Sequence, residues 1–338
     1  MEIALAVGAL LVILAGCELF TNGIEWFGAK LRLSTGVCGS VLAAVGTALP
    51  ETIVPIVAIL IIGGEQATEV GIGGILGAPF MLATLAFTVT AIGVLVYTQR
   101  GRRASLDMNV DAHVLSHDLS YFLVAYLIAV AASFVPSAPV KWGIGLGLLL
   151  LYAHYVWLHF RTGTCIADEC EMAPLRIQPS ALVPRLRWVT LQVVLGLGCI
   201  FVGAHVFVEH LTEVAHMFAV PALVLSILIT PVATELPEKF NSVLWVRDGK
   251  DTLAMGNITG AMVFQSTIPV TVGMIFTPWD FQGQHAALAS AVIALLSGTL
   301  VYVYMRTQGK LSPWALLVGL PLYAAFLAVA FGNGATAH

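Results

Sequence analysis

Two short stretches, Thr47-Ala48-Leu49-Pro50-Glu51 and Thr234-Glu235-Leu236-Pro237-Glu238, are nearly identical and lie inside long apolar regions of the sequence. They are 187 positions apart, which is about half of the 338-residue chain. A carboxylate in the middle of a membrane helix costs about 2.5–3.5 kcal/mol on an insertion scale, so it usually marks a path for ions or protons. Two such motifs, each beside a helix-breaking proline, predict a transporter built from repeats, with its site at the repeat interface.

The composition is that of a membrane protein. Hydrophobic residues make up 59% of the chain and charged residues only 10%, whereas soluble domains carry about 25% charged residues. The formal net charge is −4 and no long basic run is present, so nothing indicates nucleic-acid binding. We therefore expect an integral membrane protein, whose partners are the lipid bilayer and inorganic cations.

The hydropathy pattern predicts an all-α fold with ten transmembrane helices, arranged as two inverted five-helix repeats with broken helices at the midplane. Stretches of roughly 20 apolar residues are long enough to cross a bilayer. The second, third, seventh and eighth stretches contain proline or paired glycine, which is typical of tilted or broken helices. The ten predicted stretches are 2–20, 36–62, 70–98, 119–135, 141–160, 187–208, 219–246, 252–277, 284–305 and 313–331.

The positive charges predict the orientation of these helices, because Lys and Arg concentrate in cytoplasmic loops. Alternate loops carry almost all of these residues, while the intervening loops hold only Lys141. This places both termini outside the cytoplasm of a bacterial inner membrane or a plasma membrane. With five helices per half, the second half then enters the membrane from the opposite side. The predicted organisation is a first repeat at 1–160, a cytoplasmic connecting loop at 161–186 and an inverted second repeat at 187–338.

The internal similarity extends beyond the acidic motif. Gly16-Cys17-Glu18-Leu19-Phe20 corresponds to Gly203-Ala204-His205-Val206-Phe207 at the same offset of 187. Further along, Gly73-Gly74-Ile75-Leu76-Gly77-Ala78 corresponds to Gly256-Asn257-Ile258-Thr259-Gly260-Ala261 at an offset of 183. Small residues at this spacing let neighbouring membrane helices approach closely.

The repeated motif offers oxygen ligands from both halves of the chain. Proline lacks an amide hydrogen, so Pro50 and Pro237 are expected to free backbone carbonyls, which a bound cation could satisfy. Each motif also has a hydroxyl and a carboxylate, Thr47 with Glu51 and Thr234 with Glu238. Such a site suits a hard cation such as Ca²⁺, which takes 6–8 oxygen ligands. The absence of His and Cys at these positions argues against Zn²⁺ or Cu⁺.

These residues resemble the α-repeats of the calcium/cation antiporter superfamily, which includes sodium/calcium and proton/calcium exchangers. Gly46–Glu51 is similar to that family's G-T-S-L-P-E motif, and Gly256-Asn257 opens a similar G-N-x-x-G motif. The resemblance implies ten helices, alternating access and no enzyme activity. It also implies that Ca²⁺ is bound by Glu51 and Glu238 and exchanged for Na⁺ or H⁺, with no cofactor.

The sequence also departs from the family pattern. Where the family has Ser before Leu-Pro-Glu, this chain has Ala48 and Glu235, and the family's later amide or carboxylate position is Leu82 in one half and Gln265 in the other. The loss of polar groups and the gain of one acid leave Na⁺ and H⁺ both open as coupling ions. The candidate metal ligands are Glu51, Glu238, Thr47, Thr234, Glu235, Gln265 and Asn257.

Structural interpretations of the same residues stay open. Glu51 and Glu238 could be hydrogen-bonded acids kept neutral by burial, and Glu235 could pair with Lys239 one turn later. Asn257 and Gln265 could hydrogen-bond between helices without binding an ion. A passive channel is an alternative function, and an intramembrane hydrolase with paired carboxylates is a further one.

Overall fold

A computed structural model of the chain describes residues 1–30, 51–162, 173–181 and 183–332, without the side chains of residues 29, 160, 162, 233 and 236–241. The described residues form helices joined by turns and contain no strand, only an isolated bridge between Met108 and Leu311. The predicted all-helical fold class is confirmed. Thr47 and Pro50 lie outside the described residues.

The helices are labelled here in chain order. They are α1 (Glu2–Lys30), α2 (Glu51–Ile62), α3 (Gly64–Gln99), α4 (Ala112–Ala132), α5 (Ala138–Thr162), α6 (Leu186–Met217), α7 (Ala222–Arg247), α8 (Asp251–Gln265), α9 (Ile268–Phe276), α10 (His285–Gln308), α11 (Pro313–Leu316) and α12 (Gly319–Gly332).

Every predicted apolar stretch overlaps one of these helices, the eighth covering α8 with α9 and the tenth α11 with α12. Within the described residues, seven runs are long and apolar enough to cross a membrane: Glu2–Gly28, Gly64–Gln99, Ala112–Ala132, Leu186–Met217, Asp251–Phe276, His285–Gln308 and Pro313–Gly332. Ten crossings therefore stay a prediction.

Several irregularities interrupt the helices within the described residues. Residues Val57–Ile62 of α2 and Leu82–Ala86 of α3 are π-helical, and α8 ends at Gln265, with α9 beginning at Ile268. The second and third of these lie at equivalent places, because Leu82 and Gln265 are 183 positions apart, the offset of the glycine motifs. π-Helical turns are rare and frequently lie at functional sites.

The expectation of a helix break at Pro237 is wrong, because the α7 backbone is helical from Ala222 to Arg247. Its other proline, Pro231, shows how such a residue is tolerated. Pro231 has no amide hydrogen to donate to the carbonyl of Ile227, four residues earlier. Gly77 of α3 packs against this carbonyl so closely that a Cβ there would lie 2.5 Å from its oxygen. A glycine Cα–H next to a freed carbonyl compensates part of the lost hydrogen bond.

The chain divides into two compact units. Unit 1 comprises Met1–Gly71 and Ala153–Ala222, and unit 2 comprises Ile72–Tyr152 and Leu223–His338. Each unit combines segments from both halves of the sequence. The compact units therefore differ from the predicted sequence repeats, whose boundaries stay a prediction.

In unit 1, α1 and α6 form an antiparallel pair with glycines at the contact. A Cβ on Gly16 would lie 2.9 Å from the carbonyl oxygen of Gly196, and a Cβ on Gly203 would lie 3.1 Å from the carbonyl oxygen of Ala9. Adding 187 to 16 gives 203, and subtracting 187 from 196 gives 9. Shifting the residue numbers by the repeat offset of 187 therefore converts one contact into the other. This is expected for a helix pair related by a two-fold axis.

Unit 2 has a polar clamp beside the start of α8. The guanidinium of Arg103 binds both carboxylate oxygens of Asp251, whose side chain is 1% exposed, and donates to the Val246 carbonyl at 3.1 Å. The amide of Asn109 donates to the same carboxylate at 2.8 Å. Asp107 in the same loop pairs with Lys310, and this pairing raises the pKa of the Lys310 ammonium. The α3–α4 loop is thereby fastened to α8 and to the segment after α10.

Lys141, the cation on the opposite side of the predicted topology, is buried. It is 6% exposed, and its ammonium donates to the carbonyls of Pro278 and Trp279. Trp279 is fully buried and donates from its indole nitrogen to the Ala129 carbonyl at 3.0 Å. Lys141 therefore stabilises the turn after α9.

Candidate site in unit 2

The motif on α7 belongs to a row of polar side chains spaced four residues apart. Ser226, Thr230 and Thr234 are each at most 3% exposed, and Glu238 follows at the same interval. The hydroxyl oxygens of Ser226 and Thr230 are 2.9 Å apart, and the Thr234 hydroxyl donates to the Thr230 carbonyl at 3.2 Å. Residues four apart lie on one face of a helix, so α7 carries a buried polar stripe.

Thr234 keeps the capacity to bind a cation. Its hydroxyl proton is used by the Thr230 carbonyl, but a hydroxyl oxygen also has two acceptor lone pairs. Those lone pairs are the groups that a cation would contact. The structure is therefore compatible with the predicted role of Thr234.

Glu235 is fully buried on the same helix. The α7 backbone is helical at Glu238, whose side chain lies outside the described part of the chain. Residues three apart are neighbours on a helix surface, so positions 235 and 238 of the α7 backbone are adjacent. The motif thus concentrates negative charge within less than one helical turn.

Gln265 is the last residue of α8 and is 1% exposed. Within the described residues its amide nitrogen has no hydrogen-bond partner. An unpaired buried donor costs about 1–3 kcal/mol, a cost that structural side chains generally avoid. Next to it the chain leaves the helix, and the hydroxyls of Ser266 and Thr267 donate to the Val263 carbonyl at 2.9 and 2.8 Å. The position is consistent with a functional amide at a helix break.

The α7–α8 hairpin places Glu235 and Gln265 at a similar depth along the two helix axes. Asn257 of α8 donates to the hydroxyl of Ser242 on α7 at 3.4 Å, which fixes the register of the pair. Glu235 is seven residues before Ser242, and Gln265 is eight residues after Asn257. At 1.5 Å per residue these intervals are about 10.5 and 12 Å. Because a three-residue turn makes the helices antiparallel, both side chains lie at a similar depth.

The same register separates Asn257 from the acidic motif. Its amide lies about two helical turns from the level of Gln265 and bonds to Ser242. The interhelical interpretation of Asn257 is therefore the one that its contact supports. Of the predicted ligands on these helices, Glu235 and Gln265 lie at a similar depth, and Thr234 directly precedes Glu235 on α7.

Glu51 is the first-half carboxylate and belongs to unit 1. It lies at the described start of α2 and is 6% exposed. The helix becomes π-helical from Val57 and ends at Ile62. Gly63 and Gly64 follow, and their positive φ angles of 68° and 81° turn the chain into α3. Thr47, the other ligand predicted from this half, lies outside the described residues.

The first-half counterpart of Gln265 is apolar, as the sequence indicated. Leu82 is fully buried at the start of the π-helical turn of α3. Ser297 of α10 donates to the Ala83 carbonyl at 2.5 Å, and Gly319 of α12 packs so closely on the Thr84 carbonyl oxygen that a Cβ there would clash with it. The π-helical turn is therefore held in place by two neighbouring helices.

Some polar residues around these helices were not predicted. Ser226 and Thr230 extend the α7 stripe, and their four-residue spacing from Thr234 was the signal that could have identified them. The Thr88 hydroxyl is 3% exposed and has no hydrogen-bond partner within the described residues. Thr88 lies one turn after Thr84, so α3 also carries polar groups beside its π-helical turn.

Thr234, Glu235 and Gln265 offer hydroxyl, carboxylate and amide oxygen, and all three are buried on apolar helices. Such donors select hard cations over soft ones, and buried ionisable groups of this kind mark ion pathways in membranes. Together with the seven apolar runs, they define the chain as an integral membrane protein with an interior suited to cation transport.

Comparison with known proteins identifies the family. Residues 1–161 and 188–332 match the family described as sodium/calcium exchanger protein. The chain belongs to this family, whose members are transporters and not enzymes. The match covers both halves and omits the connection between them.

Individual relatives match over most of their length. An uncharacterized membrane protein of Methanocaldococcus jannaschii is 22% identical over 314 residues, which is 93% of each chain. The structure of the H⁺/Ca²⁺ exchanger CAX has a TM-score of 0.73 at 16% identity, over 97% of this chain and 81% of that one. The sodium-calcium exchanger NCX_Mj has a TM-score of 0.59 at 19% identity, over 97% and 99%. At these identities the two structures establish the fold.

Proposed function

We propose that this protein is a secondary-active antiporter, which moves Ca²⁺ or a similar divalent cation across the membrane in exchange for Na⁺ or H⁺ by alternating access. The family match covers both halves, and the observation that carries the proposal is the fully buried Glu235 of α7, at a similar depth to the buried Gln265 at the end of α8. A divalent ion must lose water molecules to enter an apolar interior, and negative charge is needed to offset this dehydration. The acidic residues of the motif would supply that charge.

The proposed ligands are Glu51 and Glu238, supported by the oxygens of Thr47, Thr234 and Gln265. Glu235 is the candidate for coupling, because it adds a titratable acid to the motif. When Ca²⁺ binds, ligands must be deprotonated, so cation binding and proton release are linked. This linkage supports H⁺ coupling, while the family itself is named for Na⁺.

The two halves are proposed to be inverted repeats of five helices each. The offset-related contacts of Gly16 and Gly203 in the antiparallel α1–α6 pair support this arrangement, because equivalent helices of inverted repeats run in opposite directions. The loop charges support both termini outside the cytoplasm. A reporter protein fused after His338 should therefore be located outside the cytoplasm. A fused reporter located in the cytoplasm would contradict the inverted arrangement.

The experiment that tests the function is Ca²⁺ flux in proteoliposomes under Na⁺ and pH gradients imposed separately. An antiporter accumulates Ca²⁺ against its own gradient when an opposing gradient of the coupling ion is present. Whichever of the two imposed gradients drives this accumulation identifies the coupling ion. Ca²⁺ movement that follows only its own gradient would indicate a channel instead.

A further inference from the structure

Unit 2 contains a buried tyrosine whose hydroxyl has no role in the site described above. Tyr126 of α4 is fully buried, and its hydroxyl has no hydrogen-bond partner within the described residues. Its ring stacks on Phe122, with the ring centroids 5.4 Å apart, so packing accounts for the ring but not for the hydroxyl. An unpaired buried polar group costs about 1–3 kcal/mol. Phenylalanine would fill the same space without this cost, so the hydroxyl requires a separate explanation.

Two hydrogen bonds fix the register of α4 against α8. The backbone amide of Asp111, just before α4, donates to the Thr252 hydroxyl at 2.9 Å. Further along, the Thr259 hydroxyl of α8 donates to the Asp118 carboxylate of α4 at 2.7 Å. Both contacts join residues that are 141 positions apart. The two helices therefore run parallel, and the offset of 141 relates positions at equal depth.

This register places Tyr126 near the depth of Gln265. At the offset of 141, Tyr126 corresponds to position 267, which is two residues, or about 3 Å, beyond Gln265 along the helix axis. With 3.6 residues per turn, Tyr126 is about 80° round α4 from Asp118. Gln265 is about 120° round α8 from Thr259 in the opposite sense. Opposite rotations on two parallel helices lead to the same side of their contact, so both residues lie on one side of the α4–α8 pair.

That side of the pair is closed by α10 and α3. Phe122, one turn before Tyr126, lies against Gly298 of α10, where a Cβ would be 2.9 Å from the phenyl ring. Ser297 of α10 bonds to the π-helical turn Leu82–Ala86 of α3, and this turn also packs against α8. The side of the α4–α8 pair that carries the tyrosine therefore belongs to a core shared by four helices.

The polar groups of Tyr126 and Gln265 are chemically complementary. The Gln265 amide nitrogen is a donor without a partner within the described residues, and a phenolic oxygen can accept a hydrogen bond. A cation binds only the oxygen of an amide, so a glutamine that serves as a ligand needs an acceptor for its nitrogen. The Tyr126 hydroxyl is such an acceptor, near the right depth and on the right side of the helix pair.

We propose that Tyr126 is a positioning residue for Gln265. When the cation binds, the Gln265 amide nitrogen donates to the Tyr126 hydroxyl oxygen, and this hydrogen bond turns the amide oxygen toward the ion. The inference rests on the proposed function, in which Gln265 is an oxygen ligand. It explains why a tyrosine, and not a phenylalanine, is buried at this depth of α4.

The test is a double-mutant cycle on Ca²⁺ binding to the purified full-length protein, measured by calorimetry. Tyr126→Phe keeps the ring packing and should weaken binding about fivefold, the effect of one net hydrogen bond. Gln265→Leu removes the amide, and leucine already occupies the equivalent position 82. In that background Tyr126→Phe should have no further effect, because residues that act through each other are not additive. Tyr302→Phe, at a partly buried tyrosine of α10, is the control and should bind like the wild type.

The thermal stability of the ion-free variants separates positioning from a structural role. Removal of an unpaired buried hydroxyl should leave the Tm of Tyr126→Phe unchanged or raise it, whereas loss of a structural hydrogen bond would lower it. Wild-type affinity in Tyr126→Phe would overturn the proposal, as would an equal weakening in the Gln265→Leu background or a lowered Tm. A wild-type protein that does not bind Ca²⁺ would refute the proposed function and this inference with it, while the other results concern Tyr126 alone.

Discussion

The glycine contact between α1 and α6 allows one substitution to be compared with a matched control. A Cβ on Gly196 would lie 2.7 Å from the Phe20 backbone nitrogen, 2.9 Å from the Phe20 Cα and 3.0 Å from the Gly16 oxygen. All three are backbone atoms, so no side chain can rotate away. Overpacking of this kind costs about 1–3 kcal/mol, against a gain of about 1 kcal/mol in helix propensity.

Gly198, two residues further along α6, is the control, because a Cβ there has no atom within 4 Å among the described residues. Gly198→Ala should keep or raise the thermal stability of the detergent-solubilised protein, and Gly196→Ala should lower it. Both variants gain the same helix propensity, so the difference between their thermal stabilities measures the cost of packing a Cβ at Gly196. Equal stability of the two variants would refute the close α1–α6 contact.

Two further predictions concern charged residues. Arg103→Ala leaves Asp251 buried without its bidentate partner, so a loss of about 3–5 kcal/mol of stability is expected in thermal or denaturant unfolding, while the exposed Arg102→Ala should have little effect. Glu235→Gln removes the extra titratable group of the motif, so Ca²⁺ transport measured from about pH 5 to 8 should lose part of its pH dependence while Ca²⁺ binding persists. An unchanged pH profile would return Glu235 to a structural role.

The helices could be predicted from the sequence because the bilayer requires long apolar segments. The break at Pro237 could not, since whether a proline interrupts a helix depends on what neighbours offer the freed carbonyl. At Pro231 the neighbour is Gly77, which packs closely against the Ile227 carbonyl. The π-helical turn at Leu82–Ala86 is likewise held by contacts from distant helices, which no local pattern reveals.

The candidate site was predicted in part. Repetition identified Thr234 and Glu235 as buried polar residues, and the family pattern identified Gln265. The role of Asn257 depended on its hydrogen bond to Ser242, which the sequence could not show.

The central claim is that two carboxylates from opposite halves bind the transported divalent ion. The most direct measurement is Ca²⁺ uptake by proteoliposomes containing Glu51→Gln or Glu238→Gln, with the exposed Glu213→Gln as the control. The amide keeps the shape and one oxygen but removes the charge that offsets dehydration of the ion. Both motif variants should insert and fold normally and lose coupled transport, whereas Glu213→Gln should transport like the wild type. Near-normal Ca²⁺ transport by either motif variant would contradict the account.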